Sequence, residues 1–268
     1  MSDSKHQNIA LVFIGDSDIA RWPDDLYPSP STKASLGHHH ITSTVINHAK
    51  GGASMKHLRE QIALSMKQLS GKHYDAIIFI ACAGENDISN GMDIDEIMKS
   101  FEKAANILFS PTMMATSHQI HFIFIGPKVE PWMEDGELEA RKGYFQLSER
   151  LNQAREKISA SIWSWDDGDG DQSISSRLCG FAGVGGGDGR SIHYIDALTM
   201  FCGDTNSRSV CAGKAVAERL YFDEDGLHLN NEGYELLRKE VESVLEHIIC
   251  GESCLDSLDN SHRHSIEF

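Results

Sequence analysis

The sequence predicts an α/β protein: a parallel sheet with helices on both faces, a three-layer α/β/α sandwich. Three observations predict it. Short apolar runs at residues 9–14, 42–46, 76–81 and 120–125 are rich in β-branched and aromatic side chains and read as buried strands. Apolar residues recur at helical spacing between and after these runs. Glycine-bearing turns follow the runs, at Gly15, Gly51-Gly52, Gly84 and Gly126-Pro127. Strands that alternate with helices at this spacing form parallel ladders, because each crossover helix packs back on the sheet.

The first strand gives way to Gly15-Asp16-Ser17, and residues 23–40, with three prolines and His38-His39-His40, read as a loop. The second strand ends in the turn Lys50-Gly51-Gly52. Met55, Leu58, Ile62, Met66 and Leu69 then share one helical face. The third strand precedes a helix marked by Ile94, Ile97, Met98, Phe101, Leu108 and Phe109. After the fourth strand, residues 137–160 are rich in good helix formers. Residues 166–190 are dominated by Gly, Asp and Ser and read as a surface insertion, extended to about 166–218 because no motif falls there. A short fifth strand is expected at residues 192–195. The closing helix spans residues 231–249, with Leu236, Leu237, Val241, Val244, Leu245 and Ile248 apolar. Residues 1–250 thus read as one domain and residues 251–268 as a polar tail.

The 268 residues are enough to bury a substantial core. The formal charge of −16 repels phosphate backbones and anionic headgroups, so no nucleic-acid partner is expected. No apolar window approaches a membrane span. The six cysteines include no Cys-x-x-Cys pair and read as reduced thiols. The N-terminus lacks a leader pattern, which favours a cytoplasmic location.

In parallel sheets, sites form at the carboxyl ends of strands. Ser17 sits there, on a strand-to-helix turn that exposes its hydroxyl. Asp225-Gly226-Leu227-His228 precedes the closing helix. Three-residue spacing in a turn can bring the carboxylate to the near ring nitrogen of the histidine, leaving the far nitrogen to take a proton from serine. A serine hydroxyl is a weak nucleophile without such a base. Gly52 can turn a backbone N–H toward the site with no Cβ in the way. Asn86, in Gly84-Glu85-Asn86-Asp87, offers a neutral amide donor just past the third strand.

These four segments, in this order, resemble the SGNH hydrolase superfamily, the GDSL-type esterases and lipases, over residues 9–248. The resemblance implies a flavodoxin-like sandwich with a five-stranded parallel sheet. It implies a serine esterase with Ser17 as nucleophile, His228 as base and Asp225 as its orienter. The oxyanion hole would comprise the N–H groups of Ser17 and Gly52 and the Asn86 amide. The substrate would be a small-molecule ester, with no cofactor and no metal. Acyl transfer at the same site, and a non-catalytic binding module on the same fold, are the alternatives. Asp18 stands where the family name has leucine, and is expected to line the mouth of the site. Gly52 is preferred to Gly51 as donor for its place just before Ala53-Ser54.

Each residue also has a plain structural reading. Ser17 fits a helix N-cap, Asn86 a turn, and His228 a core position. Asp16 is expected to bond backbone, and Asp87 to cap a helix or order its loop. His38-His39-His40 has no carboxylate or Cys at ligand spacing. Asp167, Asp169 and Asp171 lack the Gly and Glu of a calcium loop. Trp132 reads equally as pocket wall or core.

Overall fold

The computed structural model describes residues 6–29, 40–110, 119–131, 138–164, 189–201 and 217–250. Five strands, β1 (His6–Gly15), β2 (His40–Asn47), β3 (Ala76–Cys82), β4 (Gln119–Ile125) and β5 (Arg190–Ile195), pair in the order β2-β1-β3-β4-β5. Every pairing is parallel. The expected sheet is therefore present, with five strands in flavodoxin-like order.

Alternation along the strands builds two cores. Ile9, Leu11 and Phe13 of β1 join Ile78 and Ile80 of β3 and Ile123 and Ile125 of β4 on one face. There they meet Ile19 of α1 (Ser17–Ala20) and Leu237, Val241 and Leu245 of α7 (Asn231–Cys250). Ala10, Val12, Ile77, Phe79, Phe122 and Phe124 point the other way. They pack on α2 (Leu58–Leu69), α4 (Ile94–Leu108) and α5 (Leu138–Ser164). Burial on both faces explains why these strands read as unbroken apolar runs. Asp93 starts α4 by accepting the Asp95 N–H at 2.8 Å.

Three boundaries depart from the sequence reading. Gly15, expected in a turn, is the last residue of β1, and His40, expected in a loop, is the first of β2. Met55 lies in a 3-10 turn ahead of α2. The one-turn helices α3 (Glu85–Ser89) and α6 (Ala197–Met200) are additions, too short to show a period. Within the span 166–218, residues 190–201 are core. They carry β5, and Ile192, Ile195, Leu198 and Phe201 are buried. The glycine-rich stretch 166–188, His38, His39, Trp132 and the tail 251–268 lie outside the described residues.

Low on the α7 face, two buried histidines share one hydroxyl. Ser191 Oγ lies 2.7 Å from His121 Nδ1 and 2.6 Å from His193 Nε2. Burial pushes the His121 pKa down to about 4. Burial, reinforced by His121, His247 and Arg155, pushes that of His193 down to about 3. Both are therefore neutral in the fold but protonate in the unfolded chain below about 6.5. The unfolded state binds the extra proton, so each histidine withdraws stability as pH falls through 6.5. We predict that the unfolding free energy of the wild type, minus that of His193→Phe, shifts toward the variant by about 1.4 kcal/mol per unit between pH 6 and 4. Urea unfolding at several pH values measures this, and a pH-independent difference contradicts it.

Candidate active site

The carboxyl end of β1 is held from three sides. The Gly15 N–H donates to Gln61 Oε1 at 2.6 Å, and Gln61 Nε2 donates back to Gly15 O at 2.9 Å. The Lys50 N–H donates to the same carbonyl at 3.0 Å. Gly15 has φ +132°, and a Cβ there would overlap the Cys82 carbonyl. No other residue type fits where β1 and β3 approach so closely.

From this point the Asp16 N–H donates to Cys82 O at 3.1 Å. The Asp16 carboxylate accepts the Asp18 N–H at 3.2 Å and caps α1. The cap is thus Asp16, and half-buried Ser17 is the first residue inside the helix. An N–H at this position has no helical partner, and that of Ser17 donates to no described residue.

The second and third segments are bound to each other. The Ala53 N–H donates to Lys50 O at 3.0 Å, closing a turn with exposed Gly52 at φ +75°. The Gly52 N–H is bonded to no described residue. Asn86 lies in the first turn of α3, and its Nδ2 donates to Ala53 O at 3.0 Å. An amide nitrogen has two protons, so one remains to be offered. Buried Asp87 does not cap its own helix. Its Oδ2 accepts the Met55 N–H at 2.7 Å and so orders the loop before α2.

The fourth segment is a tight hairpin closed by the Phe222–Leu229 bridge and by the Asp223 N–H on His228 O at 2.8 Å. Asp225 Oδ1 accepts the N–H groups of Leu227 at 2.9 Å and His228 at 3.0 Å. Its Oδ2 lies 2.6 Å from His228 Nδ1. The His228 N–H, the His228 ring and the Leu227 N–H together hold the Asp225 carboxyl well below the usual range. An ionised Asp225 accepts from Nδ1–H, which leaves Nε2 as the free lone pair. His228 is therefore not a core histidine but an oriented one. Tyr234, in the first turn of α7, donates its hydroxyl to Asp18 O at 2.9 Å and ties this segment to α1. The Ser17 hydroxyl itself bonds to no described residue, His228 included. A cavity of about 440 Å³ opens between the end of α1 and the start of α7, against Arg21, Pro23, Leu229, Asn230 and Tyr234. Neither Ser17 nor His228 lines it.

Beneath these residues lies a charged cluster that sequence reasoning missed. Lys128 Nζ donates to Asp18 Oδ2 at 2.7 Å, Glu130 Oε1 at 2.9 Å and Glu85 Oε2 at 3.1 Å. All four residues are buried, with Lys128 3% and Glu130 0% exposed. Asp18 is 3% exposed, so it does not line the mouth; its carboxylate turns inward to Lys128. Burial raises the Asp16 and Glu85 carboxyls well above their ordinary values, with neighbouring carboxylates adding to it. The clue in the sequence was Lys128 and Glu130 directly after an apolar strand, where loop charges read as solvated. Gln61, on the apolar stripe of α2, was the other. Among the described residues, Asp16, Asp18 and Cys82 have metal-ligand spacing. Asp18 already carries the Lys128 ammonium, and burial raises the Cys82 thiol well above its ordinary value, so the thiolate a metal needs is disfavoured. Among the described residues no helix is long and apolar enough to cross a membrane.

No family model matches the chain, and no curated protein does. Solved structures do. A Streptococcus pneumonia protein described by reference to platelet activating factor has a TM-score of 0.51 at 16% identity, covering 88% of this chain and 83% of that one. That likeness is one of fold, a five-stranded parallel sheet between helices. A lipolytic protein of the G-D-S-L family from Veillonella parvula DSM 2008 has a TM-score of 0.49 at 16% identity, covering 88% and 97%. The acetyl xylan esterase AlAXEase has a TM-score of 0.49 at 15% identity, covering 88% and 98%. At such identity these likenesses concern the fold alone.

The tight approach at Gly15 yields a prediction. Gly15→Ala should cost about 3 kcal/mol or more, from a disfavoured φ combined with overlap on Cys82. Gly51→Ala, with open space around it and no left-handed φ, should stay within about 0.5 kcal/mol. Urea unfolding of the pair, with equal midpoints, would contradict the prediction.

Proposed function

We propose that the protein is a serine esterase acting on small-molecule carboxylic esters. The observation that carries the reading is the Asp225–His228 pair, 2.6 Å apart, on a segment tied through Tyr234 to the helix that begins with Ser17. In the proposed reaction Ser17 Oγ attacks the ester carbonyl and His228 Nε2 takes its proton. Ionised Asp225 orients the ring and stabilises the imidazolium. The oxyanion is met by the N–H groups of Ser17 and Gly52 and by the second Asn86 proton. All three are donors left free of described partners or half-engaged. His228 then protonates the leaving alcohol. Water, activated by the same nitrogen, releases the acid and frees Ser17. The open Ser17–His228 hydrogen bond is consistent with a free enzyme whose catalytic contacts tighten around substrate.

The test is hydrolysis of p-nitrophenyl esters from acetate to palmitate. Ser17→Ala should lower kcat by about 10⁴ or more with the fold retained. A folded Ser17→Ala protein with a tenth of wild-type turnover would remove Ser17 as nucleophile. Asn86→Ala should lower kcat by about 10²–10³ with a smaller change in KM. If its kcat stayed within about threefold of wild type, Asn86 would leave the oxyanion hole.

A further inference from the structure

We propose that Lys128 is a positioning residue that sets the spacing between Ser17 and Asn86; this rests on the esterase reading above. Lys128 grips Asp18, the residue after Ser17, and Glu85, the residue before Asn86. These two residues follow β1 and β3, the adjacent central strands. The Lys128 backbone N–H also donates to Glu85 Oε1 at 2.9 Å, so both oxygens of that carboxylate are held. The third ammonium proton goes to Glu130, two residues on. An ammonium has three donors, and all three are spent.

Stability does not account for this arrangement. Taking an ammonium and carboxylates out of water costs several kcal/mol per ion, and apolar side chains of equal volume often do as well or better. What the ammonium adds is fixed geometry. It links two strand ends whose next residues must present a nucleophile and an oxyanion donor to one carbonyl carbon. Displacement of such groups by about 1 Å can cost about 10²-fold in rate.

The test uses the full chain and compares truncations with isosteric amides. Asp18→Ala cuts the link on the nucleophile side, while Glu85 and Glu130 still neutralise Lys128. Its kcat should fall about 10- to 100-fold with KM within about threefold, and Asp18→Asn, which can still accept from Lys128, should restore kcat to within about threefold. Glu85→Ala and Glu85→Gln should behave alike from the other strand, and decide the matter if Asp18→Ala does not fold. Glu130→Ala leaves the Lys128 links to Asp18 and Glu85 in place, so it should lower the melting temperature yet keep kcat within about threefold. Labelling of Ser17 by diisopropyl fluorophosphate counts the reactive serines in each preparation. A wild type that neither turns over esters nor labels at Ser17 overturns the esterase reading and the clamp with it. An active wild type whose Asp18→Ala or Glu85→Ala form keeps its kcat overturns the clamp alone. So does a loss of kcat that merely follows melting temperature across all three positions.

Discussion

The backbones of β1 and β3 meet at Gly15 and Cys82 with no space for a side chain between them, and the site is organised around that contact. Beyond it the chain leaves the sheet within one residue. Asp16 bonds back to Cys82 and caps the next helix, which leaves Ser17 facing outward at a helix N-terminus. Gln61 closes the ladder by supplying the donor and acceptor that a further strand residue would have supplied. Lys50 brings the Gly52 turn to the same carbonyl. β1 lies between β2 and β3, so chain connections diverge here and a crevice opens at the strand ends. The proposed chemistry occupies that crevice.

The elements with long apolar faces were legible because burial on both sides of the sheet leaves a strong signal. Residues 76–81 and 120–125 could hardly be anything but interior strands. The Asp225–His228 pairing was legible too, since three-residue spacing in a turn leaves few arrangements. Gln61 and Lys128 were not. A polar residue counts against burial in any pattern, and only the three-dimensional neighbours reveal that its bonds are met. Asp18 misled for the same reason: beside a serine at a site, a carboxylate reads as a mouth residue until its partner, 110 positions along the chain, is known. The cap illustrates a finer limit. Asp16 and Ser17 both suit an N-cap, and what decides between them is the carbonyl of Cys82.

Polar groups are buried in this core in two different ways. Near the carboxyl edge, carboxylates surround one ammonium, and burial drives some of them toward the neutral acid. Asp16 Oδ2 and Asp18 Oδ1 have no conventional partner, and their carboxyls approach each other within 4.8 Å. Burial and the neighbouring Asp18 both raise the proton affinity of Asp16. At the opposite end of β4 and β5, His121 and His193 are kept uncharged and share a serine hydroxyl. One end of the sheet stores charge and the other excludes it.

The pairing of Asp18 with Lys128 also bears on how such a sequence can drift. Replacing Lys128 alone strands the buried carboxylates of Asp18, Glu85 and Glu130, and breaking a buried ion pair in this way typically costs about 3–5 kcal/mol, a large share of the stability of an ordinary domain. Replacing Asp18 alone leaves the ammonium with Glu85 and Glu130 and strands no charge. The dependence is therefore one-sided: Asp18 relies on a cation 110 residues away, while that cation has two other carboxylates. A lineage that acquires Asp after the serine must find a cation under β4 to accompany it. The position after the serine is thus governed from below, by the ammonium under β4, and not from the mouth of the site.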